Sequence, residues 1–580
     1  MMTAAARQRT LRSVSIAMTG SGGSGVMTAG NMLLEAAALG GYYGLMSRTS
    51  GPQIRGGEAA ALIRIADEPI DAHDDGFDLL ISLDWVNLER FSAEIPLHAE
   101  SIVIGDPGQG EAPAAMVGSF TRRLALPMKD LAKKIPGGRA NMIALGYIAS
   151  LTGLPEDAVK EAVRRTLGAE SDRLVPSLAS VEAGRLAAAG ATCPQRLPAR
   201  LTRRDARWLI TGNEAAGYGA LKAGVRFVAA YPITPATEML EWMSPALSEL
   251  GGALVQAEDE LASINMAIGA SYGGTPSLTA TSGPGFSLMT ESLGLAVAAE
   301  VPIVVVDVMR SGPSTGIPTK SEQSDLNIAL YGVHGDAPHV VVAPNSVADC
   351  LATTEWAVHL AEAMQVPVVV LSDQSMGQTR MVIEPPRDRE FAGERIVAAA
   401  NGQDYQRYAL TPSGISPMAI PGMPGLMYTA DGLEHSERGT PSSKASDHLA
   451  QLEKRQRKLC SVDFSRYWAD IEGDGEIAVL TWGSCSGAAR EAIARARADG
   501  IAVKLVSLRL LSPPPLDRLA AALDSVARCL VVEQTHCGQF YRYLRAEYAL
   551  EAELRAIHHP GPLPMRPGEI HRALVEWSRA

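Results

Sequence analysis

The sequence predicts an α/β protein of three units, and three observations predict it. A short apolar strand at 15–18 runs into the glycine loop Gly20-Ser21-Gly22-Gly23-Ser24-Gly25 and then a helix to about residue 39, the opening of a doubly wound domain. Between residues 225 and 371 lie apolar runs, several of them unbroken and β-branched, as expected for a parallel sheet covered on both faces. Beyond residue 476, β and α segments alternate again through IAVLTWGS, VKLVSLRLL and CLVVEQ.

The first unit, 12–195, should continue with strands at 59–65, 79–83 and 101–104 and helices at 141–153 and 155–167. Residues 188–202, with Pro194 and Pro198, read as a linker. The second unit, 196–386, should place strands at 225–230, 277–280, 302–308, 339–342 and 367–371, with helices between them. From 387 to 470 regularity is lost, and Gly, Pro, Ser and Met crowd ISPMAIPGMPG and HSERGTPSS. A loop of that length is usually functional or an arm around a neighbour. The last unit, 471–580, should carry helices at 488–499 and 515–523.

At 580 residues the chain exceeds one core, and roughly three or four domains are expected. A net charge of -12 argues against a broad nucleic-acid-binding face. The six cysteines, Cys193, Cys350, Cys460, Cys485, Cys529 and Cys537, form no C-x-x-C pair. An iron–sulfur cluster, a structural zinc or a secreted disulfide framework in this chain is therefore not expected, and no metal ligand is assigned. No run of about 18 apolar residues predicts a membrane span. The stretch MMTAAARQRTLRSVSIAMTGSGGSG lacks an apolar signal core, so the cytoplasm is the expected location.

Four segments carry chemistry. Tyr231-Pro232-Ile233-Thr234-Pro235 sits where a strand ends. Thr234 is read as a helix cap with Pro235 at the first helical position, a ready anion site at a parallel sheet's carboxyl edge. Glu260 starts a helix through Ala267, Gly269 and Ala270, whose small side chains would let it pack closely. The plainer reading is a solvent-facing first-turn acid, the role given to Glu258 and Asp259. Thr279-Ala280-Thr281-Ser282-Gly283-Pro284-Gly285 ends a strand in a turn with accessible amides. Arg310 leaves a buried strand into Ser311-Gly312-Pro313-Ser314-Thr315-Gly316-Ile317-Pro318-Thr319-Lys320, followed by Glu322-Gln323-Ser324-Asp325. A guanidinium among hydroxyls suits a carboxylate; the alternative is an arginine bracing its loop.

In their order and spacing, YPITP, EDELASINMAIGASYGG, TATSGPG and RSGPSTGIPTKSEQSDL resemble the α subunit of 2-oxoacid:ferredoxin oxidoreductases. GSGGSG and SRTSGPQIRGGE resemble that family's γ domain, here fused ahead of the α part, and GLEHSERGTPS extends the likeness towards the C-terminal unit. The resemblance implies a γ-type Rossmann-like domain, a thiamine-diphosphate pyrimidine-binding domain and a transketolase-C-like domain. It implies that Glu260 hydrogen-bonds N1′ of the aminopyrimidine; counting back from the TSGPG turn could instead favour Glu258. It implies that Tyr231, Pro232, Ile233, Ser282 and Gly283 line the cofactor, and that Thr234, Arg310, Thr319 and Lys320 bind substrate. A β subunit would hold the diphosphate, Mg2+ and a [4Fe-4S] cluster, coenzyme A would be co-substrate, and ferredoxin the acceptor, in an (αβ)2 assembly.

The fused arrangement and GPSTGIPTKSEQSDL most resemble the 2-oxoglutarate and broad-specificity members. Lys320, Arg48 and Arg55 are candidate partners for a distal carboxylate, and a branched-chain or broad 2-oxoacid enzyme is the alternative. A non-catalytic dinucleotide-binding scaffold built on the glycine loop is the reading of another class. No acid stands cleanly at the end of a second strand, so the loop is read as a tight turn for helix packing, with coenzyme A as a candidate contact.

Overall fold

Three sheets, of eight, seven and five strands, carry the chain. The computed structural model describes residues 13–51, 58–86, 88–113, 122–193, 195–198, 206–387, 391, 393–399 and 404–579. Its strands are β1 (Ser13–Ser21), β2 (Tyr43–Ser50), β3 (Glu58–Ala66), β4 (Phe77–Ser82), β5 (Leu97–Gly105) and β6 (Arg122–Ala125). There follow β7 (Trp208–Thr211), β8 (Phe227–Ala230), β9 (Ala253–Gln256), β10 (Ser277–Thr281), β11 (Ile303–Met309), β12 (Val340–Val342), β13 (Pro367–Asp373) and β14 (Arg380–Ile383). The last six are β15 (Ala469–Glu472), β16 (Ile477–Trp482), β17 (Val503–Leu508), β18 (Leu510–Ser512), β19 (Arg528–Glu533) and β20 (Glu553–His558).

The first sheet runs β6-β5-β4-β1-β3-β2-β14-β7, so two strands from beyond residue 206 extend it. The helices Ala140–Thr152 and Glu156–Leu167 stand where the periodicity puts them. The polar ends of β2 and β6 hid both strands from that pattern.

The second sheet runs β18-β12-β13-β11-β10-β8-β9, parallel except at the β12–β18 edge. Every residue of β11 and β13 is buried, which is why both read as unbroken apolar runs. The third sheet, β15-β17-β16-β19-β20, is parallel apart from its β15 edge. Each of the outer units thus shares a sheet with the middle one.

The stretch expected to lack regular structure contains the 16-residue helix Ala445–Cys460. Its buried residues are Gln451, Lys454, Arg455, Lys458 and Leu459. An inward face so polar gives no hydrophobic period to read.

Candidate active site

β8 and β10 are parallel neighbours whose onward connections part, β8 towards β9 and β10 towards β11. A crevice opens at the carboxyl ends of such a pair, where open α/β sheets bind ligands. Residues 231–235 follow β8, residues 282–285 follow β10 and residues 310–325 follow β11, so the segments singled out above converge there.

Thr234 does not cap a helix. The helix is Thr237–Glu249 and its cap position is Ala236. The chain begins to wind earlier, with Thr237 N–H donating to the Ile233 carbonyl at 3.0 Å, and residues 234–236 form the turn. The Thr234 carbonyl instead accepts from Arg310 Nη1 at 2.6 Å. Tyr231 is 40% exposed, while Ile233 packs against the core.

The helix Glu260–Tyr272 is capped by Asp259, whose carboxylate accepts from Ala262 N–H at 2.7 Å. One residue on, Glu260 is buried, whereas Glu258 is exposed. The Glu260 carboxylate lies over Gly285, where a Cβ would stand 2.5 Å from Oε1. Only glycine leaves that space for the acid. The close packing expected of the small residues holds for Ala267, which is buried. Gly269 faces outward, with nothing within 4 Å of where its Cβ would be.

Arg310 is buried at the end of β11. Burial lowers its pKa, against the charges of Asp325 and Glu260, so both carboxylates lie within its field. Its Nε and the Ser282 and Ser324 hydroxyls are buried without a hydrogen-bond partner, as is the Thr319 hydroxyl beside Lys320. Unsatisfied buried polar atoms are costly, and several of them around one crevice fit a polar ligand.

Sequence reasoning missed one acid of this crevice altogether and passed over another. Asp307, in β11, is fully buried, its carboxyl oxygens have no hydrogen-bond donor, and Asp325 is its acidic neighbour. Asp325 lies against Gly283, where a Cβ would stand 2.6 Å from Oδ2. Burial, with Asp325 as its neighbour, pushes Asp307 well above the carboxylate range; burial pushes Asp325 to about 7. Two buried carboxyls in contact hold a proton between them. The sequence signal was Asp307 itself, an acid inside an otherwise apolar run, VPIVVVDVM.

Lys320 stands apart from Glu260. Its Nζ donates to Thr49 Oγ1 and Glu94 Oε1, both at 2.5 Å, across the boundary to the first sheet. Arg48 pairs with Glu238, just past the 231–235 segment. Thr319, Lys320, Arg48 and Thr49 line one small cavity of about 60 Å³. Arg55 lies outside the described residues. In the glycine loop, Ser21 donates through N–H and hydroxyl to Asp84 Oδ2, and Asn141 Nδ2 donates to the Gly25 carbonyl. The Ser24 hydroxyl, by contrast, is buried without a partner, and Ser21, Gly23, Ser24 and Gly25 line a cavity of about 370 Å³.

Family models match along the chain: pyruvate ferredoxin/flavodoxin oxidoreductase over residues 15–187, its thiamine-diphosphate-binding domain over 218–454, and core domain II over 475–561. The 2-oxoglutarate oxidoreductase subunit KorA of Mycobacterium tuberculosis is 32% identical over 94% of this chain and 89% of its own. The chain belongs to the 2-oxoacid:ferredoxin oxidoreductases. The 2-oxoglutarate synthase subunit KorA of Methanothermobacter marburgensis is 38% identical over 63% of this chain and 96% of its own. A solved structure of the 2-oxoglutarate:ferredoxin oxidoreductase of Magnetococcus marinus, with 2-oxoglutarate, coenzyme A and succinyl-CoA bound, superposes with a TM-score of 0.91. It is 35% identical and covers 97% of this chain and 99% of its own.

As in the α subunits of this family, the chain carries a thiamine-diphosphate-binding domain, and Thr234, Glu260, Ser282, Asp307, Arg310 and Asp325 all fall within it. Among the described residues, no group of three or more His, Cys, Asp or Glu could hold a metal ion. No described helix is long and apolar enough to cross a membrane.

Proposed function

We propose that this chain is the α-type, γ-fused subunit of a 2-oxoglutarate:ferredoxin oxidoreductase. The complex converts 2-oxoglutarate and coenzyme A to succinyl-CoA and CO2, reversibly. Its electrons leave for ferredoxin through an iron–sulfur cluster on a β subunit that also holds the diphosphate and Mg2+. The observation that carries the reading is Glu260, buried at the switch between β8 and β10 and within the field of Arg310. The names of the relatives support 2-oxoglutarate.

Thiamine diphosphate, when bound, supplies the electron sink for decarboxylation. Glu260 holds a proton at the pyrimidine N1′, in the space Gly285 leaves free. Ser282, Gly283 and Tyr231 to Ile233 would line the site that holds the pyrimidine. Arg310 takes the substrate carboxylate and is held in aim by the Thr234 carbonyl. The Thr319 hydroxyl, unpartnered, is available to the oxo group or its carboxylate. A partner has a surface to cover: Leu261 and Met266, on the helix that carries Glu260, and Leu288 on the helix Gly283–Ala298 are each more than two-fifths exposed.

A broader 2-oxoacid specificity is the second reading. It is favoured by the engagement of Lys320 with Glu94 and of Arg48 with Glu238, which leaves a distal carboxylate to compete with protein acids. Co-expression with the β subunit and reduction of a viologen dye by the purified complex test both. The expected outcome is turnover with 2-oxoglutarate at least about tenfold above pyruvate and 2-oxoisovalerate in kcat/KM, about 1.4 kcal/mol of discrimination. Equal rates favour the second reading, and no turnover with any 2-oxoacid rejects both.

A further inference from the structure

We propose that Gln323 is a positioning residue: seated in the third unit, it sets where the loop carrying Arg310 and Thr319 stands, and so makes that unit part of substrate binding. The inference rests on the 2-oxoacid reading above. It adds a role for a unit that supplies none of the residues placed in the crevice.

The third sheet has a switch of its own. β16 continues to β17 on one side, while β19 continues to β20 on the other. The two are parallel neighbours, so the place where such a sheet takes a ligand lies beyond their carboxyl ends, at Trp482 and Glu533. That place is filled by the side chain of Gln323, which is wholly buried. Its Nε2 donates to the Trp482 carbonyl at 2.9 Å. Its Oε1 accepts from Gln534 N–H at 2.8 Å and from Cys485 Sγ at 3.2 Å. Its own N–H donates to the Gln534 carbonyl at 2.9 Å. Gly483, at a φ of 62°, leaves the room: a Cβ there would stand 2.6 Å from Nε2. The slot is cut for a primary amide, with an acceptor facing its NH2 and two donors facing its oxygen.

The grip extends to both sides of Gln323. Gln534 Nε2 donates to the Ser321 carbonyl at 3.3 Å, and Gln539 Nε2 donates to the Ser324 carbonyl at 2.7 Å. Within the loop the hold passes on towards Arg310. Ser311 N–H donates to the Lys320 carbonyl at 2.9 Å, and the Ser311 carbonyl accepts from Ile317 N–H at 3.0 Å. Gly561, from the third unit, closes on this base. A Cβ there would stand 2.3 Å from the Ser321 carbonyl oxygen and 2.8 Å from Ser311 Oγ. Arg310 therefore leaves β11 at a point fixed by the sheet behind it and by the third unit in front. An arginine binds a carboxylate through a planar fork, and a misplacement of about 1 Å is enough to lose that geometry. Loss of the hold weakens oxoacid binding before it touches the proton at Glu260.

The test compares three variants in the reconstituted complex, at saturating coenzyme A and acceptor. Gln323→Ala empties the slot. Gly561→Ala drives the third unit into the loop base while every hydrogen-bonding side chain stays. Both should raise the KM for 2-oxoglutarate about tenfold, with kcat within about twofold of wild type. Arg528→Met removes the bond from Arg528 Nη1 to the Trp577 carbonyl elsewhere in the third unit; it should lower the melting temperature and keep the wild-type KM. If Arg528→Met raises KM as much as the other two, Gln323 is merely structural and the proposal is overturned. Wild-type KM in both Gln323→Ala and Gly561→Ala overturns it as well. Should Gln323→Ala fail to assemble, Gln323→Glu, which keeps the acceptor and loses the donor to Trp482, is read on the same terms. Hydrogen exchange of the whole chain gives a readout without turnover. The Ser311, Ile317 and Lys320 amides should exchange about tenfold faster in the Gln323 and Gly561 variants and at the wild-type rate in Arg528→Met. Wild-type protection in the Gln323 variant overturns the proposal whether or not the complex is active, whereas a wild-type complex inert towards every 2-oxoacid rejects the functional reading.

Discussion

Glu260 concentrates the chemistry of the crevice on one oxygen pair. It sits one position inside the helix, beyond an aspartate that already serves as the cap. The first-turn role that usually keeps an acid in solvent is therefore filled by Asp259, and Glu260 is left to point inward. Glu260→Gln keeps the shape but not the exchangeable proton. In the complex it should cost about 10²–10⁴ in kcat with assembly retained, read by turnover beside size-exclusion chromatography. Arg310→Ala should act differently, raising the KM for the oxoacid more than it lowers kcat. Equal loss in kcat and in assembly for the glutamine variant would mean that Glu260 is structural. The residues legible in the sequence were those in motif-bearing turns, Thr234, Glu260 and Arg310. Asp307 was not, because a single acid within a buried strand has no local pattern. Its meaning comes from Asp325, which the loop brings back across the sheet. Lys320 was legible as a cation and not as a pair, since Glu94 lies 226 residues away in sequence.

The helix Ala445–Cys460 shows how an element can be stable and still give no sequence signal. Lys454 Nζ and Lys458 Nζ each stand 2.5 Å from a carboxylate oxygen of Glu300, and all three side chains are essentially unexposed. Arg407, also buried, donates to the Glu300 carbonyl at 2.7 Å and to Gln365 Oε1 at 2.9 Å. Burial alone would raise the Glu300 pKa, but the three cations hold it well below the carboxylate range. Burial lowers Lys454 to about 8 and Lys458 to about 7. One acid thus fastens the 404–460 stretch to the second sheet with a surplus of positive charge. Removing Glu300 leaves buried cations without a counter-ion, so Glu300→Gln should cost about 3–5 kcal/mol of stability. Lys458→Met should cost far less. Lys458 also sets a pH slope. Between about 7 and 10.5 the unfolded chain holds a proton that the folded chain does not, so this site makes stability rise with pH over that window. The methionine variant should lose that rise. Urea unfolding at several pH values measures both effects, and a wild-type midpoint in Glu300→Gln would refute the staple.

At the scale of the molecule, the crevice depends on contacts between units far apart in sequence. The substrate loop is gripped by Thr49 and Glu94 from the first sheet through Lys320, and by Gln534 from the third through Gln323. These grips hold only if the outer units hold each other. They do so through Arg64, buried on β3, whose Nη1 stands 2.5 Å from Glu491 Oε2 and whose Nη2 donates to Glu491 Oε1 at 3.1 Å, across 427 residues. Arg495 completes the clasp, reaching Asp74 at 2.9 Å, Asp75 at 2.6 Å and Glu491 at 2.5 Å. Arg64→Met strands part of this acid cluster, but Arg495 still faces Glu491, Asp74 and Asp75. The cost should therefore sit near the lower end for a broken buried pair, about 2–3 kcal/mol. The clasp joins two units that also meet directly through Arg490 and Asp71 and through Gly568 N–H and Asp75 Oδ1, so its loss should weaken their junction and begin to separate their unfolding. Calorimetry of the wild type should give one transition, and Arg64→Met should add an earlier shoulder. The variant should also bind 2-oxoglutarate less tightly although Arg64 touches no part of the crevice, because the two units that grip the loop carrying Arg310 are then held less firmly to each other. A variant that melts in a single transition at the wild-type temperature, with the wild-type KM, would show that the outer units are held together without this arginine.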